Sequence, residues 1–175
     1  SIYKTMPDVI AFDKMRDARQ FEGGMPVVAH PPCRFWSAYT AHQAKAESDA
    51  ARAAEMGLGL LCADHLRREG GVLEHPAHSR LFKAARLPAP GRRDGDLFTV
   101  AVLQAWWGYP MRKSTWLCFS RIDMTALEFP YSEHDSRAGL GDRRRQQLMS
   151  KHQRAATCEA LALWLVAAAR TAGTR

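Results

Sequence analysis

Pro26-Val27-Val28-Ala29-His30-Pro31-Pro32-Cys33 is an unalternating apolar run that stops abruptly at two prolines and delivers a cysteine just beyond them. Such a run suits a strand buried on both faces, as in a parallel sheet, and the prolines end it because they lack the ladder N–H. Downstream, from about Ala44 to Glu69, the residues Ala50, Ala54, Leu58, Leu61 and His65 recur at helical spacing, and Gly70-Gly71 supplies the stop. The spacing predicts one long helix, in which Gly57 and Gly59 each cost ~1 kcal/mol relative to Ala. Val72-Leu73-Glu74 then reads as a second short strand closed at Pro76.

Strand, helix, strand is a crossover unit. Its right-handed connection makes the two strands parallel, so the turns after His30 and Glu74 leave the same carboxyl edge of the sheet. If those strands are neighbours, about 4.8 Å separates them, and Cys33 and Glu74 face one crevice. The expected architecture is a three-layer, Rossmann-like α/β domain with a mostly parallel sheet and flanking helices.

Outward from this unit, Asp8 to Phe12 is a candidate strand, followed by the charged stretch 13–19 and a Gly23-Gly24 turn. A short helix over Ser79 to Ala85, a Pro/Gly/Arg-rich loop from Leu87 to Asp96, an apolar segment from Leu97 to Leu103 and a strand over Thr115 to Phe119 follow. Residues 123–153 form a polar, turn-rich insert containing Arg143-Arg144-Arg145, and a final helix is expected over about Ala155 to Arg170. At 175 residues the whole, 1–175, fits a single domain able to bury about two thirds of its unfolded surface.

Apolar residues make up 46% of the chain, which argues for a folded globule. Lys and Arg number 25 against 18 Asp and Glu, a balance that attracts polyanions and makes nucleic acid the first partner to consider. No apolar run approaches the roughly 18 residues that span a bilayer, so no membrane association is expected. Cys33, Cys62, Cys118 and Cys158 are widely spaced with no C-x-x-C pair and no secretory leader in front, which points to a reducing, cytoplasmic compartment. Cys62, Cys118 and Cys158 sit in apolar surroundings and read as packing residues.

Cys33 alone stands in a turn. Proline bracing would fix its sulfur, the Arg34 guanidinium would favour thiolate, and Phe35 and Trp36 could stack on a base; alternatively it is a small buried hydrophobe. Glu74 ends an apolar strand, where burial would raise its pKa and let it donate a proton to a ring nitrogen; the alternative is a structural carboxylate paired with Arg112 or Lys113. His30-x-x-Cys33 and His75-x-x-His78 offer four candidate zinc ligands. Trp106 and Trp107 are core by default, whereas the adjoining 108–113 mixes turn-formers with paired cations suited to phosphate or base contact. Arg143, Arg144 and Arg145 are a solvated face unless their segment folds onto nucleic acid, where they would supply salt-sensitive phosphate affinity.

Val28-Ala29-His30-Pro31-Pro32-Cys33, Leu73-Glu74-His75-Pro76 and Trp107-Gly108-Tyr109-Pro110-Met111-Arg112-Lys113 stand in that order. Together they resemble a reduced form of the DNA cytosine-5 methyltransferase family and its small phage and prophage relatives. That family carries Pro-Cys after one strand, Glu-Asn-Val or Glu-Asn-Pro after the next, and Tyr-Gly-x-Pro-x-x-Arg before a later one. The resemblance spans roughly residues 25–120. It implies conjugate addition: Cys33 attacks position 6 of a flipped pyrimidine in DNA, Glu74 contacts ring N3, and Arg112 or Lys113 assists near the base. His30, Pro32, Arg34, Trp36, His75, Trp107, Tyr109 and Lys113, with Arg143, Arg144 and Arg145, are the expected substrate-binding residues. Host-cell cytoplasm is the implied location if the protein is phage-encoded.

The resemblance has departures. His75 replaces the family's Asn, and the glycine-rich S-adenosylmethionine turn is absent, because only about 25 residues precede the first motif strand. S-adenosylmethionine would therefore need residues preceding Ser1, a homo-oligomer or a partner chain to complete its site. Two further classes stay open: a non-catalytic nucleic-acid-binding module, and a zinc-stabilised domain using His30, Cys33, His75 and His78.

Overall fold

The computed structural model describes residues 2–37, 48–131 and 157–173. The start of the predicted long helix, most of the polar insert and Arg143-Arg144-Arg145 lie outside the described residues. Strand β1 is Val27–Ala29, helix α1 Asp49–Glu69, β2 Gly71–Pro76, α2 Arg80–Ala84, β3 Arg93–Asp94, β4 Leu97–Leu103, β5 Ser114–Ser120 and α3 Glu159–Arg170.

The sheet is open and mixed, in the order β1-β2-β5-β4-β3. β1 and β2 are parallel, as the crossover reading requires, with Val28 opposite Val72 and Ala29 opposite Leu73. The expectation of a mostly parallel sheet is wrong: β2–β5, β4–β5 and β3–β4 are all antiparallel. The connections explain this. Residues 104–113 join β4 to β5 through one 3-10 turn, Gln104–Trp107, and Gly95-Asp96 alone join β3 to β4; neither link can carry a chain back for a parallel return.

Two core clusters occupy the two faces. Leu73 and Cys118 pack with Ala63 and Leu66 of α1 and Leu81 and Phe82 of α2. Val72, Leu117 and Phe119 pack instead with Leu161, Leu165 and Ala168 of α3. Adjacent strand residues Val72 and Leu73 belong to opposite clusters, as strand alternation demands. Cys62 and Cys158 pack against these cores and Cys118 lies within one, as read from the sequence.

Helix α1 is capped by Ser48, whose hydroxyl accepts the Ala51 N–H, and stops at Gly70 with φ 76°. Its buried stripe is Gly59, Ala63 and Leu66 with His65, not the predicted row through Ala50 and Ala54, which are exposed. Gly59 lies on the inner face because a Cβ there would come within 2.5 Å of Trp36 Nε1. Gly71, at φ 110°, admits the Val27 backbone so closely that any side chain would collide with it.

The candidate strand Asp8 to Phe12 is irregular. Asp13 Oδ1 accepts the N–H groups of Met15 and Arg16, turning the chain before a ladder forms, and the free edge of β1 stands across a cavity of about 930 Å³ from this segment. Among the described residues no helix is long and apolar enough to cross a membrane.

Candidate active site

The parallel pair β1–β2 places the turn carrying His30 to Cys33 beside the carboxyl end of β2. One residue past the Ala29–Leu73 pair, His30 Nδ1 lies 3.0 Å from Glu74 Oε2. His30 Nε2 lies 2.6 Å from the Tyr3 hydroxyl, delivered by the 3-10 turn Ile2–Thr5. On the other side, Glu74 Oε1 accepts from Gln104 Nε2 at 2.9 Å. The same amide nitrogen donates to Thr115 Oγ1 at 3.1 Å, and that hydroxyl donates to the Lys113 carbonyl at 3.1 Å. Five elements thus feed one chain of hydrogen bonds around a carboxylate that is 8% exposed.

Burial pushes the Glu74 carboxyl up, but the His30 hydrogen bond and charge, then Lys113 and His75, outweigh it and leave the group below its ordinary value. The expected raised carboxyl is therefore corrected: Glu74 is ionised. It also pairs with His30 and Gln104, not with Arg112. An ionised carboxylate only accepts, so the hydrogen-bond network assigns a proton to His30 Nδ1. The Tyr3 phenol is pushed far up by burial, then by Glu74 and Cys158, and keeps its proton. Its hydroxyl can donate that proton to His30 Nε2 when Nε2 carries none.

Cys33 is half-buried, and burial first, then the Glu74 charge, raise its thiol, while Lys113 pulls it down. The cation that favours thiolate is thus Lys113 and not Arg34. Arg34 pairs with Glu55 of α1 at 2.8 Å and covers the Phe35 ring at 4.7 Å. Lys113 also sits over the Tyr109 ring at 5.2 Å, in a left-handed conformation with φ 31°. Its neighbour Arg112 is exposed, and Lys113 is the cation of that pair whose charge reaches Glu74 and Cys33.

Several expected base contacts belong to the core. Trp36 and Phe35 are buried against α1 and the turn, so neither ring is available for stacking. Trp107 packs edge-on to Trp164 of α3 at 5.2 Å, and Tyr109 is buried. His75 points to the sheet face opposite Glu74, fully buried beside Trp116, and neither ring nitrogen closes a hydrogen bond. Burial pushes its pKa down to about 4, against the opposing pull of Glu74 and the Pro32 backbone. His78, exposed at φ 61°, packs on Trp116 at 5.1 Å. His30, Cys33, His75 and His78 therefore do not converge, and among the described residues no group of three or more His, Cys, Asp and Glu could hold a metal ion.

Tyr3, His30 and Pro32 stand in the wall of the 930 Å³ cavity, which also runs along Val9, Phe12, Phe21, Leu58 and Val166; Glu74 and Gln104 do not reach it. The sequence reading missed Tyr3, Gln104 and Thr115. Gln104 carried the same signal as Glu74, a polar residue ending an apolar strand, whereas nothing local marked Tyr3. Comparison with known proteins found no matching family model, no curated protein and no solved structure similar to the chain.

Proposed function

We propose that this chain is a phage-type DNA-modifying enzyme, methyltransferase-like, that acts at position 5 of a pyrimidine through a covalent Cys33 adduct. It is built on a reduced, three-layer Rossmann-like core. The observation that carries the reading is the parallel β1–β2 pair, which sets Cys33 and an ionised, doubly hydrogen-bonded Glu74 at one sheet edge, close enough for Glu74 to raise the thiol. In the addition, Cys33 releases its thiol proton to solvent and the sulfur bonds to C6; the C5–C6 π pair shifts toward N3, which takes up a proton through Glu74, and C5 of the resulting enamine becomes nucleophilic. Lys113 favours the negative Cys33 thiolate that attacks, and Glu74 engages N3. The net charge of +7 suits a DNA partner. The donor to C5 is S-adenosylmethionine or another electrophile, held with the help of a second copy or a partner chain.

A second reading has its own support: burial and the Glu74 charge keep the Cys33 thiol protonated, as fits a silent nucleic-acid-binding module. One experiment separates the two. The protein is incubated with duplex DNA carrying 5-fluorocytosine or 5-fluorouracil and candidate donors, and intact mass is read after denaturation. An adduct mapped to Cys33, absent in Cys33→Ser, is expected. Full binding by both proteins with no adduct under any donor would establish the silent module instead.

A further inference from the structure

We propose that Tyr3 and His30 form a proton relay that charges and discharges Glu74 from the cavity wall, so that His30 acts through Glu74 as a positioning and proton-supplying residue. This rests on the reading of Glu74 as the group that engages N3. The geometry is continuous: Tyr3 Oη to His30 Nε2 is 2.6 Å, and His30 Nδ1 to Glu74 Oε2 is 3.0 Å. The two ends face different surroundings. Tyr3 and His30 line the cavity, while Glu74 lies behind them and out of its reach. Gln104, fully buried, holds the second carboxylate oxygen, so the oxygen facing His30 is the one free to exchange a proton with it.

The relay answers a need of the site. An ionised Glu74 has no proton to give to N3. In the forward step the Nδ1–H bond of His30 breaks as an O–H bond forms on Glu74, the Tyr3 proton moves to Nε2, and the phenolate regains a proton from water in the cavity; the hydroxide left is neutralised by the proton that Cys33 releases to solvent. Glu74 then passes its proton to N3. When the adduct collapses, N3 returns a proton to Glu74 and the same bonds shift in reverse; no electron is gained or lost. The titratable groups facing Tyr3, His30 and Glu74 are Lys113, Cys33 and Cys158, and the charge of His75 acts on Glu74 from the opposite face of the sheet.

The test uses the full chain as wild type, Tyr3→Phe and Glu74→Gln, each checked for folding by circular dichroism. Tyr3→Phe keeps the ring that stacks on His30 at 5.4 Å and removes only the hydroxyl. The first measurement is the ring ¹⁵N titration of His30. The two hydrogen bonds predict a response in opposite directions in the two variants, upward where Tyr3 loses its hydroxyl and downward where Glu74 loses its charge. The second is the pH profile of adduct formation with 5-fluorocytosine DNA, where Tyr3→Phe is expected to slow the reaction by about 10²-fold and displace its acid limb. A His30 titration that is the same in all three proteins overturns the relay, whatever the adduct does. An unchanged adduct profile in Tyr3→Phe overturns it while leaving the pyrimidine reading intact. No adduct in wild type overturns the pyrimidine reading and, with it, the relay.

Discussion

Glu74 and His75 are consecutive residues of β2, yet their surroundings are opposite in kind. Glu74 faces the α3 side and has both carboxylate oxygens engaged, by His30 and Gln104. His75 faces the α1/α2 side, fully enclosed, with neither ring nitrogen satisfied. One face uses His30 and Gln104, from distant elements, to keep a charge ionised; the other keeps a titratable ring neutral by excluding water from it. The difference teaches that burial alone does not mark a reacting group. What distinguishes Glu74 is a hydrogen-bond path that leads out to a cavity.

The largest expected effect breaks both faces at once. Gly71→Ala places a Cβ into the Val27 backbone at positive φ, and should cost about 4–5 kcal/mol in urea unfolding or abolish folding, because it separates β1 from β2. Next, Glu74→Ala strands His30 and Gln104 and should cost about 3–4 kcal/mol at pH 7, where the paired carboxylate's stabilisation is fully present. That stabilisation lies above the ordinary carboxylate pKa and is lost as pH falls through the lowered folded value.

His75→Phe sharpens the comparison from the other side. The unfolded chain protonates this ring below about 6.5, while the folded one waits until about 4, so stability is complete above the first value and falls toward the second. Removing the imidazole should erase roughly 3 kcal/mol of acid destabilisation between those limits. Unfolding midpoints measured from pH 7 to pH 4 check this. A pH dependence identical to wild type would mean that water reaches the ring.

The smallest effects concern the thiol. Lys113→Met should move the pH profile of Cys33 alkylation upward, because it removes the charge that opposes burial and Glu74. Arg34→Ala should leave that profile in place and change stability by less than about 1 kcal/mol, since its contact with Glu55 is a partly exposed ion pair.

Much of this was legible from local pattern. Val27 to Ala29 and Val72 to Glu74 read as strands because continuous apolar runs between breakers have few other uses, and Gly70 marked the end of the long helix. His30, Cys33, Glu74 and Lys113 were legible as candidates because strand ends and their turns are where polar groups can meet. Trp36, Trp107 and Tyr109 were misplaced because an aromatic residue carries the same signal whether it stacks on a base or fills a core.

By itself, the sequence determined the strand–helix–strand unit, its parallel pairing and the shared edge for Cys33 and Glu74, since these follow from hydrophobic runs, breakers and the handedness of one connection. Only the tertiary structure decided the antiparallel remainder of the sheet, the choice of Lys113 over Arg112 and Arg34, and the recruitment of Tyr3 and Gln104 to Glu74. Those features depend on contacts between residues far apart in the chain, and on which face each side chain takes. No local spacing encodes either.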